Sequence, residues 1–413
     1  MTLTSATIVS GISKAFSNVI HYLAQHLHRL GRTTTVMRVM AAMAIAMSAL
    51  LSGGVGNAWA SDSTLVSVEN GTQSTEIQLS ALPPGNAIKD GKALLRYALP
   101  IDNKNVRRLQ RELEDISETL RVQGSRRVSA VNRNLDRFEK LLRRSNEVLV
   151  DVPVANQPKV EALFATLTTD AADLRAYVDE RDKEAIWIKR SEMLDVIGEI
   201  ESLMVKEFPF EVPEEYDNLP QLKGRATIEM VTNKGTMELV VDGYNAPVTA
   251  GNFVDLVQRE FYDGLEITRA EDFYVVQAGD PPGSDVGFID PDTGEYRAIP
   301  LEIMVQGEKE PLYGLTMEDV GMYLEDPVLP FSAYGTVAMA RPGNDPNGAS
   351  SQFFFLKFES ELTPAGLNLL DGRYAVFGYV VENKRVLDEL KVGDRIESAR
   401  VIDGQDNLVL PTA

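Results

Sequence analysis

Phe273-Tyr274-Val275-Val276-Gln277-Ala278-Gly279-Asp280, with Arg269 just upstream, is the stretch on which the reading of this chain turns. Phe273–Gln277 has the composition of a short strand, and Gly279 ends it. Similar short segments surround it: Leu265–Thr268, Thr336–Ala340, Phe353–Lys357 and Tyr374–Val381. Upstream, Ala226–Val231 and Thr236–Val241 alternate with period 2 around Thr232-Asn233-Lys234-Gly235, a tight-hairpin signal. Pro247-Val248-Thr249 opens an amphipathic helix over 250–261, with Phe253, Leu256, Val257 and Phe261 on one face and Thr249 as its expected N-cap. Short strands, two short helices and many Gly/Pro turns predict a mainly-β closed barrel.

Further toward the N-terminus the period changes to 3.6. Val106, Leu109, Leu113, Ile116 and Leu120 form one stripe, and Val128, Val131, Leu135, Phe138 and Leu142 a second. Leu163, Leu167, Leu174 and Val178 form a third, and Leu194, Ile197, Ile200 and Leu203 a fourth. Each stripe needs a partner helix, so residues 86–206 are predicted as an all-α helical bundle. Breaks are expected at Gly124, between Pro153 and Pro158, and in the charged run near Asp179–Lys183. Residues 207–222, acidic and proline-rich, read as a linker whose Phe208, Phe210 and Tyr216 pin it to a neighbouring domain.

Residues 1–60 contain Lys14, Arg29, Arg32 and Arg38 and no acid. The 13-residue apolar run Val39–Leu51 precedes Ala58-Trp59-Ala60, the pattern of a secretory signal peptide, with an uncleaved anchor as the alternative. Residues 61–85 read as a polar N-terminal tail. Beyond residue 60 the chain keeps 37 basic against 61 acidic side chains, which argues against nucleic acid and anionic lipid. Cysteine is absent, and His21, His26 and His28 all lie in the leader. The remainder therefore excludes Ser–His and Cys–His catalysis, cysteine or histidine metal sites and disulfides. Asp290-Pro291-Asp292-Thr293-Gly294-Glu295 starts like a calcium loop but has Leu301 at the twelfth position, so a surface turn is expected. No cofactor or metal is implied.

The order Phe261-Tyr262-Asp263-Gly264, Arg269, Gln277-Ala278-Gly279-Asp280, Met339-Ala340-Arg341, Ser351-Gln352-Phe353-Phe354-Phe355 and Leu370-Asp371-Gly372-Arg373-Tyr374-Ala375-Val376-Phe377-Gly378 resembles the cyclophilin family of peptidyl-prolyl cis–trans isomerases over about residues 224–410. The resemblance implies an eight-stranded cyclophilin-like barrel over 223–413. An exported helical domain joined to it, with Ala93-Leu94-Leu95-Arg96-Tyr97-Ala98-Leu99-Pro100-Ile101, resembles the multidomain cyclophilins of the thylakoid lumen. Those proteins support photosystem II assembly. Thylakoid lumen is therefore favoured over periplasm, and proline-containing clients, including lumenal loops of photosystem II subunits, are the implied partners. Contact with a membrane complex would be peripheral, and this reading also has the helical domain touching the cyclophilin domain of its own chain.

Isomerisation breaks no bond. It needs an apolar pocket for proline and a donor that binds the twisted amide better than the planar one. Arg269 stands at the family's catalytic arginine, and Gln277 at the glutamine that orients it and binds substrate backbone. Tyr274, Val275, Phe354 and Leu370 match the proline pocket, and Ala340, Arg341, Gln352, Leu369 and Tyr374 complete the expected substrate-binding set. Four positions depart from the family pattern. Leu369 stands where many members have tryptophan, Tyr374 where they have histidine, Arg341 where they have asparagine, and Tyr274 where they have phenylalanine. Each contact is worth roughly 1–2 kcal/mol. These departures predict weakened activity and leave open a second reading, a non-catalytic chaperone or assembly scaffold. The segment 304–333 is read as an insertion, either a solvated loop or an acidic, aromatic recognition element.

Overall fold

The computed structural model describes residues 88–121, 126–291, 293–358 and 369–411. The leader, the polar tail and the expected break at Gly124 lie outside the described residues. The helical part comprises α1 (Gly91–Tyr97), α2 (Lys104–Arg121), α3 (Arg126–Leu142), α4 (Asn146–Leu149), α5 (Gln157–Glu180) and α6 (Lys183–Leu203). Most stripe residues sit in one shared core, with Val128, Leu163 and Leu203 at its margin. The ends are chemically defined. Asn103 Oδ1 accepts from the amides of Asn105 and Val106 before α2, and Asp182 accepts from Glu184 and Ala185 before α6. The expected breaks appear: a 3₁₀ turn over Val154–Asn156, and Arg181 in the left-handed region after α5.

The C-terminal part is built on an eight-stranded antiparallel sheet. In spatial order its strands are β11 (Ile396–Asp403), β2 (Arg225–Thr232), β3 (Gly235–Asp242), β10 (Val376–Glu382), β8 (Thr336–Met339), β9 (Phe353–Leu356), β5 (Val275–Ala278) and β4 (Arg269–Ala270). The hairpin β2–β3 closes at Thr232 opposite Gly235, as its sequence predicts. The closed barrel does not. The ladder is open between β11 and β4, and the Leu265–Thr268 segment expected as a strand only bridges them. Gly264 and Ile267 donate to Ile396 and Asp394, and Thr268 then donates to Gln277. The chain changes partner within two residues, too quickly for a ladder to span the seam.

Helix α7 (Pro247–Gln258) packs its Phe253, Leu256 and Val257 into the core of this sheet. It begins two residues before Thr249, and Ala246 occupies the cap position with no side chain to offer. Its first amides are satisfied from outside the helix. Glu302 accepts from Val248 and Thr249 at 3.2 and 2.8 Å. Glu302 belongs to β6 (Glu302–Ile303), which pairs with β7 (Leu312–Tyr313) in a two-stranded ribbon. The second short helix is α8 (Val386–Glu389). The aromatic segment after α6 is pinned as expected: Phe208 packs on Phe210 and Tyr244, and Tyr216 on Tyr313. It ends in β1 (Gln221–Leu222), paired with β12 (Leu408–Val409).

Helix α1 joins the two parts. Its Leu94 and Leu95 share a core with Val275, Phe354 and Tyr379 on the outward face of the sheet. A Cβ on Gly91 would stand 2.7 Å from the Tyr379 Cβ, so only glycine permits this approach. Arg225 donates to Leu95 O at 2.6 Å, and Asn245 to Ala98 O at 3.0 Å. Lys92 bridges Asp195 of α6 and Glu382 of β10 at 3.1 and 2.7 Å.

Candidate active site

Strand alternation places the site. Val276, Phe353, Phe355 and Val337 point into the core, so their neighbours point outward. The register then aligns Arg269 with Gln277, Gln277 with Phe354, Phe354 with Ala338 and Ala338 with Val376. One row thus crosses β4, β5, β9, β8 and β10 on a single face. It carries a cation, an amide and an aromatic ring, in that order.

Arg269 is half exposed. Its Nε donates to Glu271 Oε1 at 2.7 Å, and its guanidinium carbon lies 5.6 Å from the Tyr274 ring centroid. Among the described residues no other hydrogen bond holds the guanidinium, so its terminal nitrogens remain available to a substrate carbonyl or amide nitrogen. Gln277 Nε2 donates to Gln352 Oε1 at 2.8 Å, while Gln352 Nε2 donates to Asp280 and to Val286 O. Among the described residues no hydrogen bond is made to the Gln277 side-chain oxygen, which is able to receive a donor. Ala340 closes β8 against the same residue, its amide donating to Gln352 O at 2.9 Å.

The apolar part of the row is unusually well covered. Val275 is 3% and Phe354 6% exposed. Phe331, from the insertion, stacks on Phe354 at 5.9 Å with rings 7° apart, and Tyr374 meets Phe354 edge-on at 5.5 Å. Leu370 packs into the same cluster. Arg341 is folded down over Tyr374 at 5.1 Å and donates twice to Arg373 O, at 3.0 and 2.8 Å. Leu369, by contrast, is 87% exposed and stands outside the cluster. The structure thus brings together Arg269, Tyr274, Val275, Ala340, Gln277, Gln352, Phe354, Leu370, Tyr374 and Arg341.

Two neighbours escaped sequence reasoning. Glu271 carried a usable signal, because it lies two residues from Arg269 and so on the same side of an extended chain. Phe331 carried none, since its partner is reached only through the fold of the insertion. Among the described residues no group of three or more His, Cys, Asp or Glu side chains is placed to hold a metal ion. No described helix is long and apolar enough to cross a membrane.

Chemically, the row suits charge redistribution without bond cleavage. Twisting an X–Pro amide localises the nitrogen lone pair, and a fixed guanidinium beside an apolar floor favours that state over the planar one. Nothing in the row titrates as histidine or cysteine does.

The helical and sheet parts each match a family model. Residues 90–205 match the PsbQ-like domain of peptidyl-prolyl cis-trans isomerase CYP38-like proteins. Residues 227–406 match cyclophilin type peptidyl-prolyl cis-trans isomerases. The chain is 57% identical over 332 residues to a putative thylakoid lumen peptidyl-prolyl cis-trans isomerase of Synechocystis, an alignment covering 80% of this chain and 87% of the relative. It is 48% identical to the chloroplastic peptidyl-prolyl cis-trans isomerase CYP38 of Arabidopsis thaliana, covering 81% of this chain and 78% of that one. With CYP37 of the same plant, also chloroplastic, identity is 32% over 80% of this chain and 72% of the relative.

Proposed function

The chain belongs to the cyclophilin-type peptidyl-prolyl cis–trans isomerases, in the branch that carries a PsbQ-like helical domain, and from that premise we propose that it turns X–Pro bonds of exported, lumenal polypeptides at a reduced rate. The observation that carries the reading is the row Arg269–Gln277–Phe354 across three adjacent strands. Arg269 stabilises the twisted amide, Gln277 holds the client backbone, and Tyr274, Val275, Phe354 and Leu370 bound the proline ring. The reduced rate follows from the cover on Phe354, from Arg341 lying on Tyr374, and from the absence of an inward side chain at Leu369. The thylakoid lumen as the compartment is supported by the name of the Synechocystis relative, and a chloroplast setting by that of CYP38.

A second reading keeps the binding face and drops the turnover: an assembly scaffold that holds lumenal loops of photosystem II subunits. The burial of Phe354 favours it. Two-dimensional exchange NMR on a short X–Pro peptide separates the two. Line exchange accelerated by the parent protein and reduced about 100-fold by Arg269→Ala supports catalysis. Peptide binding without any accelerated exchange supports the scaffold.

A further inference from the structure

We infer that Phe273 is a specificity-determining residue of this site, an anchor for an apolar side chain that flanks the client's proline. The inference rests on the functional reading above for the identity of the client, and on local structure for the rest. Between β4 and β5 the chain makes a tight turn: Glu271 N donates to Val275 O at 2.8 Å, and Tyr274 N to Glu271 O at 3.3 Å. Phe273 is the third residue of that turn and has φ 59°. Such a position is normally given to glycine or asparagine, and a phenylalanine there is a backbone outlier.

The ring is 77% exposed, and among the described residues no aromatic or cationic partner meets it. Phe273 is therefore unfavourable to folding in its backbone and gains little from burial. Glycine would serve the hairpin better. Strain of this kind persists where a site uses it. The turn begins beside Arg269 and ends in Tyr274, so the ring stands at the rim of the row. At this rim Arg269 and Glu271 pair at 2.7 Å, which leaves the exposed Asp272 as the acid beside the Phe273 ring. Next to that acid the rim offers a polypeptide an apolar ring, and the ring's complement is a large aliphatic or aromatic side chain beside proline.

The test uses the full chain and two peptide series, Ala-X-Pro-Y-Ala, in which X or Y is Phe or Ala. Exchange NMR gives kcat/KM for each. The parent protein is expected to favour a Phe-flanked peptide by about 5- to 20-fold at one of the two positions. Phe273→Gly should bring that ratio within about twofold of one, with a Tm at or above that of the parent, and Phe273→Leu should keep most of the preference. An unchanged ratio in Phe273→Gly overturns the anchor. If the parent protein accelerates neither peptide, catalysis fails as a reading, but chemical-shift titration of the same peptides still gives the ratio of Kd values. Equal Kd values for Phe- and Ala-flanked peptides overturn the anchor there too.

Discussion

Arg269 is tethered at its Nε and open at its tip. The bond to Glu271 fixes the plane of the guanidinium without spending the two terminal nitrogens, and Tyr274 supports it from one face. A lysine has no such fork and no second nitrogen to tether. Arg269→Lys is therefore expected to keep the charge and still lose about 10-fold or more in kcat/KM by exchange NMR, with thermal stability unaltered because the side chain is half exposed. A rate equal to the parent's would show that charge alone suffices and that the tether is idle. At this scale the sequence was informative where function sits on a strand: eight residues separate Arg269 from Gln277, and antiparallel pairing across a turn turns that spacing into adjacency. It was silent where a contact comes through the insertion. Phe331 looks like any aromatic in an acidic loop until the fold lays it on Phe354.

Elements depend on residues far outside themselves. Helix α7 takes the cap for its first turn from Glu302, on the β6–β7 ribbon. Burial pushes this carboxyl up to about 7, against the two amides that pull it down. Tyr313, Tyr216 and Lys223 are the titrating neighbours, and Tyr313 is itself raised by burial beside the acid. A raised carboxyl means the folded state holds a proton that the unfolded state has already released. Stability is thus full below the ordinary glutamate range and falls as pH climbs from about 4.5 to about 7. Urea midpoints between pH 4.5 and 8 should decline in the parent protein and decline less in Glu302→Gln. Parallel profiles would remove Glu302 as the source. The sequence predicted α7 correctly but capped it at Thr249, because a local rule cannot see a carboxylate 53 positions away. The helical stripes were legible because each repeats several times. The closed barrel was not, because one bridging segment, Leu265–Thr268, decides closure and its composition is that of any short strand.

Over the whole molecule, the helical part and the sheet share a seam made of a few costly groups. Asp242 is fully buried and is neutralised by Arg225, whose Nε and Nη2 both donate to it and whose Nη2 also donates to Leu95 O on α1. Removing that cation leaves a buried charge and an unpaired carbonyl together. Arg225→Ala is expected to cost about 3–5 kcal/mol and to split unfolding into two steps, one for each part, in differential scanning calorimetry. A single transition displaced by less than about 1 kcal/mol would mean the seam transmits little. Because the site row needs no histidine or cysteine, its turnover should stay level across the same pH range in which stability declines, which separates the two effects experimentally.

Lys92 sits on α1 and reaches Glu382 across 290 positions of chain. Tyr379, against which Gly91 lies, is nearly as remote. During synthesis α1 emerges long before β10, the strand it packs against, exists. The cover of Leu94 and Leu95 is complete only when Val275 and Phe354 have been joined by Tyr379 of β10. A chain truncated before Tyr379 would therefore leave Leu94 and Leu95 without part of the apolar surface that covers them.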